Sequence, residues 1–127
     1  MMTKNKTVGN FGEDLAVKYI KKKKYKILGR NVHEGKNEID IIASNKTTIV
    51  FVEVKTRCVE SADNIAFEVC AASAVDFDKQ KRTVSAARAY LLENPTDKDI
   101  RFDVVEVYLD KKDQKKTFEI NHIENAF

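Results

Sequence analysis

The sequence predicts an α/β domain: one mixed central sheet flanked by helices, in the order α-β-β-β-α-β-β. Three observations carry this. Residues 9–24 and 78–93 repeat their apolar side chains at helical spacing. Five short strand-like runs lie between and after them, bounded by turn residues. One of these, "TTIVFVEVKT" (47–56), is apolar on both faces, so it needs a layer on each side. With 127 residues the chain suffices for one domain, 1–127, with a core of its own.

In "GNFGEDLAVKYIKKKK" (9–24), Phe11, Leu15, Ala16, Tyr19 and Ile20 fall on one helical stripe, with Glu13 near its border. "YKILGRNV" starts a strand near 25–33, and "NEIDIIAS" (37–44) is a second. The polar turn Ser44-Asn45-Lys46 joins it to the third in an antiparallel hairpin. In that third strand Val50, Val52 and Val54 take one face, and Ile49 and Phe51 begin the other. Residues 58–76 have no clear pattern; "FEVCAASAVDF" fits a short helix, a strand or a loop packed on the core. A second helix, 78–93, has Asp78 as an N-cap candidate and ends at Asn94-Pro95. "RFDVVEVYL" (101–109) is a strand, and "FEINHI" (118–123) closes the sheet edge.

Apolar residues make up 43% and charged residues 34%, the balance of a globular domain. The formal charge of +3 identifies no partner by itself, but the basic residues are clustered in "KYIKKKKYK" (18–26), "KQKR" (79–82) and "KKDQKK" (111–116). Such runs are ordinarily solvated surface; converging on one face, they would suit phosphates. Cys58 and Cys70 lack metal-site spacing, and His33 and His122 lie in separate segments, so a zinc site is not expected. No apolar run approaches a membrane span and no leader pattern is seen. A cytoplasmic protein with reduced thiols and no membrane partner is the expectation.

The charges inside the strands carry the chemistry. Strict alternation puts Glu38, Asp40 and Ile42 on one face of the second strand and Ile39 and Ile41 on the other. If the hairpin sets Asp40 beside Glu53, two carboxylates meet at the open end of the sheet. That juxtaposition is unfavourable unless a cation lies between them. Two carboxylates with waters suit Mg²⁺ or Mn²⁺. Lys55, one pleat beyond Glu53, would orient or deprotonate a metal-bound water, or stabilise developing negative charge. Gln80 shares the spacing of Val84, Ala87 and Leu91 and is expected on the sheet-facing side of its helix, near these charges. Each residue also has a plainer reading: Glu53–Lys55 as an ion pair, Glu13 as a first-turn acid favoured by the helix dipole, Gln80 as a cap.

Taken in order, the helix Glu, strand Asp, strand ExK and helix Gln resemble the PD-(D/E)xK, or restriction-endonuclease-like, superfamily. The strings "GNFGEDLAVKYI", "RNVHEGKNEIDIIA", "IVFVEVKTR", "KQKR" before "AARAYL", "RFDVVEV" and "HIENAF" resemble the YraN-like family of small bacterial proteins from about residue 9 to Phe127. The resemblance implies a restriction-endonuclease-like core similar to archaeal Holliday-junction resolvases and a Mg²⁺-dependent nuclease activity, but no known substrate. The reading built on it is a Mg²⁺- or Mn²⁺-dependent endonuclease acting on DNA, with branched or damaged DNA among the candidate substrates. By position, Asp40 and Glu53 would hold the metal, Lys55 would be the catalytic lysine, and Glu13 and Gln80 would complete the site. Lys21, Lys22, Lys23, Lys24, Arg57, Lys81 and Arg82 would contact nucleic acid. A homodimer fits paired cuts, since one small site cuts one strand. The rival reading is a non-catalytic nucleic-acid-binding or partner-recruiting module with the same fold. Two departures stand out. Asn37 replaces the usual Gly of the "GEID"-like string, at a point where Asn tolerates a left-handed backbone. The segment after "VKTR" is long and has "IAFEV" where a Gly is expected.

Overall fold

The computed structural model describes residues 4–59, 77–110 and 118–127. The elements are α1 (Lys4–Lys22), β1 (Lys26–Glu34), β2 (Asn37–Ser44), β3 (Thr48–Val59), α2 (Phe77–Glu93), β4 (Asp99–Asp110) and β5 (Phe118–Ile123). Their order is the one expected. Most of the ambiguous 58–76 stretch and the "KKDQKK" run lie outside the described residues. The strands form one five-stranded sheet in chain order, β1-β2-β3-β4-β5. Neighbours are antiparallel except β3 and β4, which run parallel and are linked through α2.

α1 covers one face: Ala16, Val17 and Ile20 pack on Ile41, Ala43, Val50, Val52, Val105 and Val107. α2 covers the other, with Ala86 and Ala87 on Ile39, Ile42, Ile49 and Phe51. β3 is therefore apolar on both sides because both sides are covered. α1 begins earlier than its periodicity suggests, and the described part of its buried stripe includes Val17 besides the expected residues. Gly12 is required for the approach of α1. A Cβ there would lie 2.8 Å from Thr56 Cβ, and nearer still to Thr56 Oγ1.

Two expectations about local geometry are corrected. Ile39 and Ile42 belong to the α2 layer and Ile41 to the α1 layer, so strict alternation along β2 fails. The cause is a distortion at Asp40. Pairing with β3 stops at Ile41↔Val52. On the other side, the pairs Arg30↔Ile41 and Val32↔Ile39 flank Asn31, whose backbone is left-handed at φ 49°. The second correction concerns the β1–β2 turn. Its left-handed residue is Gly35 (φ 63°), not Asn37, which pairs with Glu34 as the first residue of β2. Gly at the first central position suits a two-residue hairpin turn.

A buried polar network ties β4 to β5 and α1. Asp103 is fully buried. Its carboxylate accepts from Arg101 Nε and Nη2 (both 2.9 Å) and from Asn125 N (3.2 Å), and lies 2.6 Å from His122 Nε2. Tyr19 Oη is 3.2 Å from the other ring nitrogen of His122, and Arg101 also donates to Tyr25 Oη at 2.8 Å. Burial pushes the Asp103 carboxyl up, but the bonds from His122 and Arg101 outweigh it and hold it below the usual carboxylate range. Among the described residues no helix is long and apolar enough to cross a membrane.

Candidate active site

The distortion of β2 produces the site. Where regular pairing ends, the side chain of Asp40 takes over the ladder: Oδ2 accepts the Val54 N–H at 2.8 Å. The hairpin sum that pairs Ile41 with Val52 would next pair Asp40 with Glu53. Both carboxylates accordingly line one small hollow with Glu38, Ile39, Val52, Lys79 and Thr83.

Glu53 is 4% exposed. Lys79 Nζ lies 2.6 Å from its Oε1, but without hydrogen-bond geometry, so this buried oxygen has no hydrogen-bond partner among the described residues. Burial pushes the Asp40 carboxyl up to about 6. The Val54 bond and the Lys79 ammonium oppose that rise, while Glu13 and Glu53 add to it. The electrostatic influence of Glu13 on Asp40 places the helix acid near the pair. Glu13 Oε1 is itself held by Asn31 Nδ2 (2.9 Å) and Arg30 Nη2 (3.3 Å). Neighbours in a strand ordinarily point to opposite faces; the left-handed Asn31 lets both side chains reach Glu13.

Lys55 follows Glu53 on β3, half-buried, and makes no ion pair with a described residue. The cation at Glu53 is Lys79, not Lys55. In register beside Lys55 stands Glu106 of β4, fully buried. Its Oε1 accepts from Asn121 Nδ2 at 2.7 Å, and its Oε2 has no hydrogen-bond partner among the described residues. The sequence reading passed over Glu106, although "VVEV" interrupts an apolar run just as "VEVK" does.

Gln80 is not brought into this hollow. It lines a separate groove with Lys81, Val84, Ser85, Arg88 and Phe127. The buried line of α2 runs through Thr83, Ala86 and Ala87, with Tyr90 and Leu91 beside it. Its continuation by one turn is Lys79, which takes the place expected of Gln80. Asp78 lies inside the first turn of α2, which starts at Phe77.

The basic residues divide into two groups. Exposed Arg57, Lys81 and Arg82 lie on the elements that carry Glu53 and Lys79. Lys21, Lys22, Lys23 and Lys24 are exposed at the end of α1 and just beyond it. Lys24 lines an open hollow with Lys26, Lys46 and Lys98 at the β2–β3 turn. Lys98 Nζ is fixed there by a 2.8 Å bond to Asn45 O. Asp40 and Glu53 are each five residues from this turn, about 17 Å along the strands.

Among the described residues no three His, Cys, Asp or Glu side chains converge into a ready-made metal cage. A pair of carboxylates, one with a buried oxygen that has no hydrogen-bond partner among the described residues, nevertheless fits a hard divalent ion. Such an ion takes one or two protein carboxylates and keeps several waters. It does not fit zinc, which prefers four close N or S donors.

Fold and site together define a mixed α/β protein with an acidic pair, buried Glu53 and half-buried Asp40, where its central strands part. The chain belongs to the Uncharacterised protein family UPF0102, matched over residues 12–107. It is 46% identical over 124 residues to a UPF0102 protein of Caldanaerobacter subterraneus subsp. tengcongensis, covering 96% of this chain and 95% of that one. A UPF0102 protein of Alkaliphilus oremlandii is 46% identical over 126 residues, covering 97% and 99%. One of Flavobacterium psychrophilum is 40% identical over 129 residues, covering 99% and 98%.

Proposed function

We propose that this chain is a metal-dependent endonuclease of the restriction-endonuclease-like, PD-(D/E)xK kind, hydrolysing phosphodiester bonds in DNA, with branched or damaged DNA as its substrate class. The observation that carries the reading is the buried Glu53 carboxylate, its Oε1 without a hydrogen bond among the described residues, in one hollow with Asp40 and one pleat from Lys55. Burying two like charges together is costly and finds its physical reason in a bound cation. The element order supports the same reading.

Asp40 and Glu53 would hold Mg²⁺ or Mn²⁺, which when bound supplies Lewis-acid stabilisation of charge on the phosphoryl oxygens. Val54 N–H orients Asp40, and Asn31 and Arg30 hold Glu13 behind it. Lys55, with no ion-pair partner among the described residues, is placed to neutralise charge developing on the scissile phosphate. Lys24, Lys26, Lys46 and Lys98 would hold the backbone further along the strand without reading bases. The test is a panel of labelled single-stranded, duplex, flap and four-way DNAs incubated with Mg²⁺ and with Mn²⁺. Metal-dependent cutting of at least one, lost in Asp40→Asn, is the expected result.

One observation favours a second reading, a nucleic-acid-binding or partner-recruiting module that does not cleave: the Lys79 ammonium already lies against Glu53. Calorimetric titration of Mn²⁺ into wild type and Asp40→Asn separates the two. No heat of binding with wild type favours the module.

A further inference from the structure

We infer that Lys79 is a tethered stand-in for the metal, a side-chain cation that must leave Glu53 for a divalent ion to enter and so sets the affinity of the site. The inference rests on the metal-site reading above. Its ground is the position of one atom. Lys79 Nζ is 2.6 Å from Glu53 Oε1, a buried oxygen of the pair that would hold a metal. The ammonium and a metal ion cannot both occupy that place.

The two partners differ in freedom. The Glu53 side chain is 4% exposed and fixed on a central strand; that of Lys79 is 50% exposed. Only Lys79 can withdraw, its stem turning outwards while α2 stays in place. Its location on α2 is also telling. Lys79 lies in the first turn, where the helix dipole disfavours a cation and where Asp78 is the acid the dipole favours. The contact with buried Glu53 is the compensating interaction. Lys79 is, moreover, the continuation of the buried Thr83–Ala86 line, so the packing of α2 aims it at the hollow.

The arrangement makes the acidic pair tolerable without a metal, and selective for one. A monovalent ion offers no more charge than the ammonium it would displace, and lacks the tether. A divalent ion offers twice the charge and outcompetes it. Removing the ammonium should therefore tighten divalent binding, where loss of a merely structural contact would loosen it.

The experiment is calorimetric titration of Mn²⁺ into wild type, Lys79→Met, Lys79→Arg and Lys81→Gln. Lys79→Met keeps the apolar stem without the charge. Lys79→Arg keeps a cation. Lys81→Gln removes the same charge two residues away on the exposed face. Expected are Mn²⁺ dissociation constants about tenfold lower in Lys79→Met, and within about threefold of wild type in the other two. Thermal melts with and without Mn²⁺ guard against misfolding, and Lys79→Met should gain more from Mn²⁺ than wild type does. If wild type binds Mn²⁺ and Lys79→Met binds it equally or more weakly, the stand-in role is overturned while the metal site survives. If Lys81→Gln tightens binding as much as Lys79→Met, the effect is one of net charge and the role is again overturned. If neither wild type nor Lys79→Met binds, the metal site itself is refuted, and the inference with it.

Discussion

Asp40 offers a direct test of the electrostatics, because replacing it by Asn keeps its shape and its acceptor for the Val54 N–H but removes its charge. The folded carboxyl titrates at about 6 against an ordinary 3.8, chiefly because it is buried. Below pH 3.8 both folded and unfolded chains carry the proton and the residue contributes no pH dependence. Between 3.8 and 6 the folded chain holds more protons than the unfolded one, so stability falls as pH rises. Above 6 the loss is complete. A shift of about two units corresponds to about 3 kcal/mol at most. Without divalent metal, Asp40→Asn should therefore match wild type near pH 4. At pH 7.5 it should be more stable by up to about 3 kcal/mol, or roughly 10 °C in Tm for a domain of this size. Urea melts between pH 4 and 8 in EDTA measure it. Excess Mn²⁺ should reverse the order at pH 7.5, since only the ionised wild-type carboxylate binds metal. An Asp40→Asn protein no more stable than wild type at pH 7.5 in EDTA would refute the reasoning, because the buried carboxylate would then carry no electrostatic cost.

Four further substitutions have definite expected outcomes. Glu53→Gln should abolish Mn²⁺ binding and leave the fold as stable or more so, since half-exposed Lys79 returns to water; Lys55→Ala should keep metal binding and lose cleavage. A Glu53→Gln protein that melts markedly earlier would mark the Glu53–Lys79 contact as structural. Gly12→Ala should destabilise by about 1–3 kcal/mol through collision with Thr56, with partial recovery on adding Thr56→Ala. Helix propensity alone predicts the opposite sign, so chemical denaturation decides between them. Asp103→Asn should cost about 3 kcal/mol or more at neutral pH, because Arg101 and His122 lose their shared anion; a cost below about 1 kcal/mol would show the network to be dispensable.

The order of elements was legible because each is announced by local periodicity and punctuated by turn residues. The meeting of Asp40 with Glu53 was legible for a similar reason. The β2–β3 turn is short, so it fixes register, and register fixes which side chains oppose one another. The α2 partner is not legible from the apolar count of the helix. Val84 and Leu91 draw the line through Gln80, yet the small side chains of Thr83 and Ala86 decide how closely the helix approaches the sheet. Lys79 then falls inward. Glu106 was invisible for another reason. Its proximity to Lys55 depends on parallel pairing of β3 with β4, strands separated by a helix. No local pattern specifies that register. Asn31 likewise reads as an ordinary strand residue until its backbone is seen to be left-handed.

The buried acids of this sheet fall into two regimes, and the contrast separates architecture from chemistry. Asp103 and Glu53 are buried to nearly the same degree. Asp103 has both oxygens engaged by Arg101, His122 and the Asn125 N–H, so its charge is compensated in full within the fold. Such a group needs nothing from outside, and its arrangement is what stability alone would select. Among the described residues Glu53 and Glu106 each keep an oxygen without a hydrogen bond, and Asp40 is pushed towards its neutral form. These three lie on adjacent strands around the position of Lys55. One sheet therefore contains a carboxylate satisfied within the described fold and a group that is not. Unfavourable electrostatics gathered on β2, β3 and β4 around Lys55 are what a ligand site would show. On the proposed function that ligand is a cation, in competition with the Lys79 ammonium at Glu53.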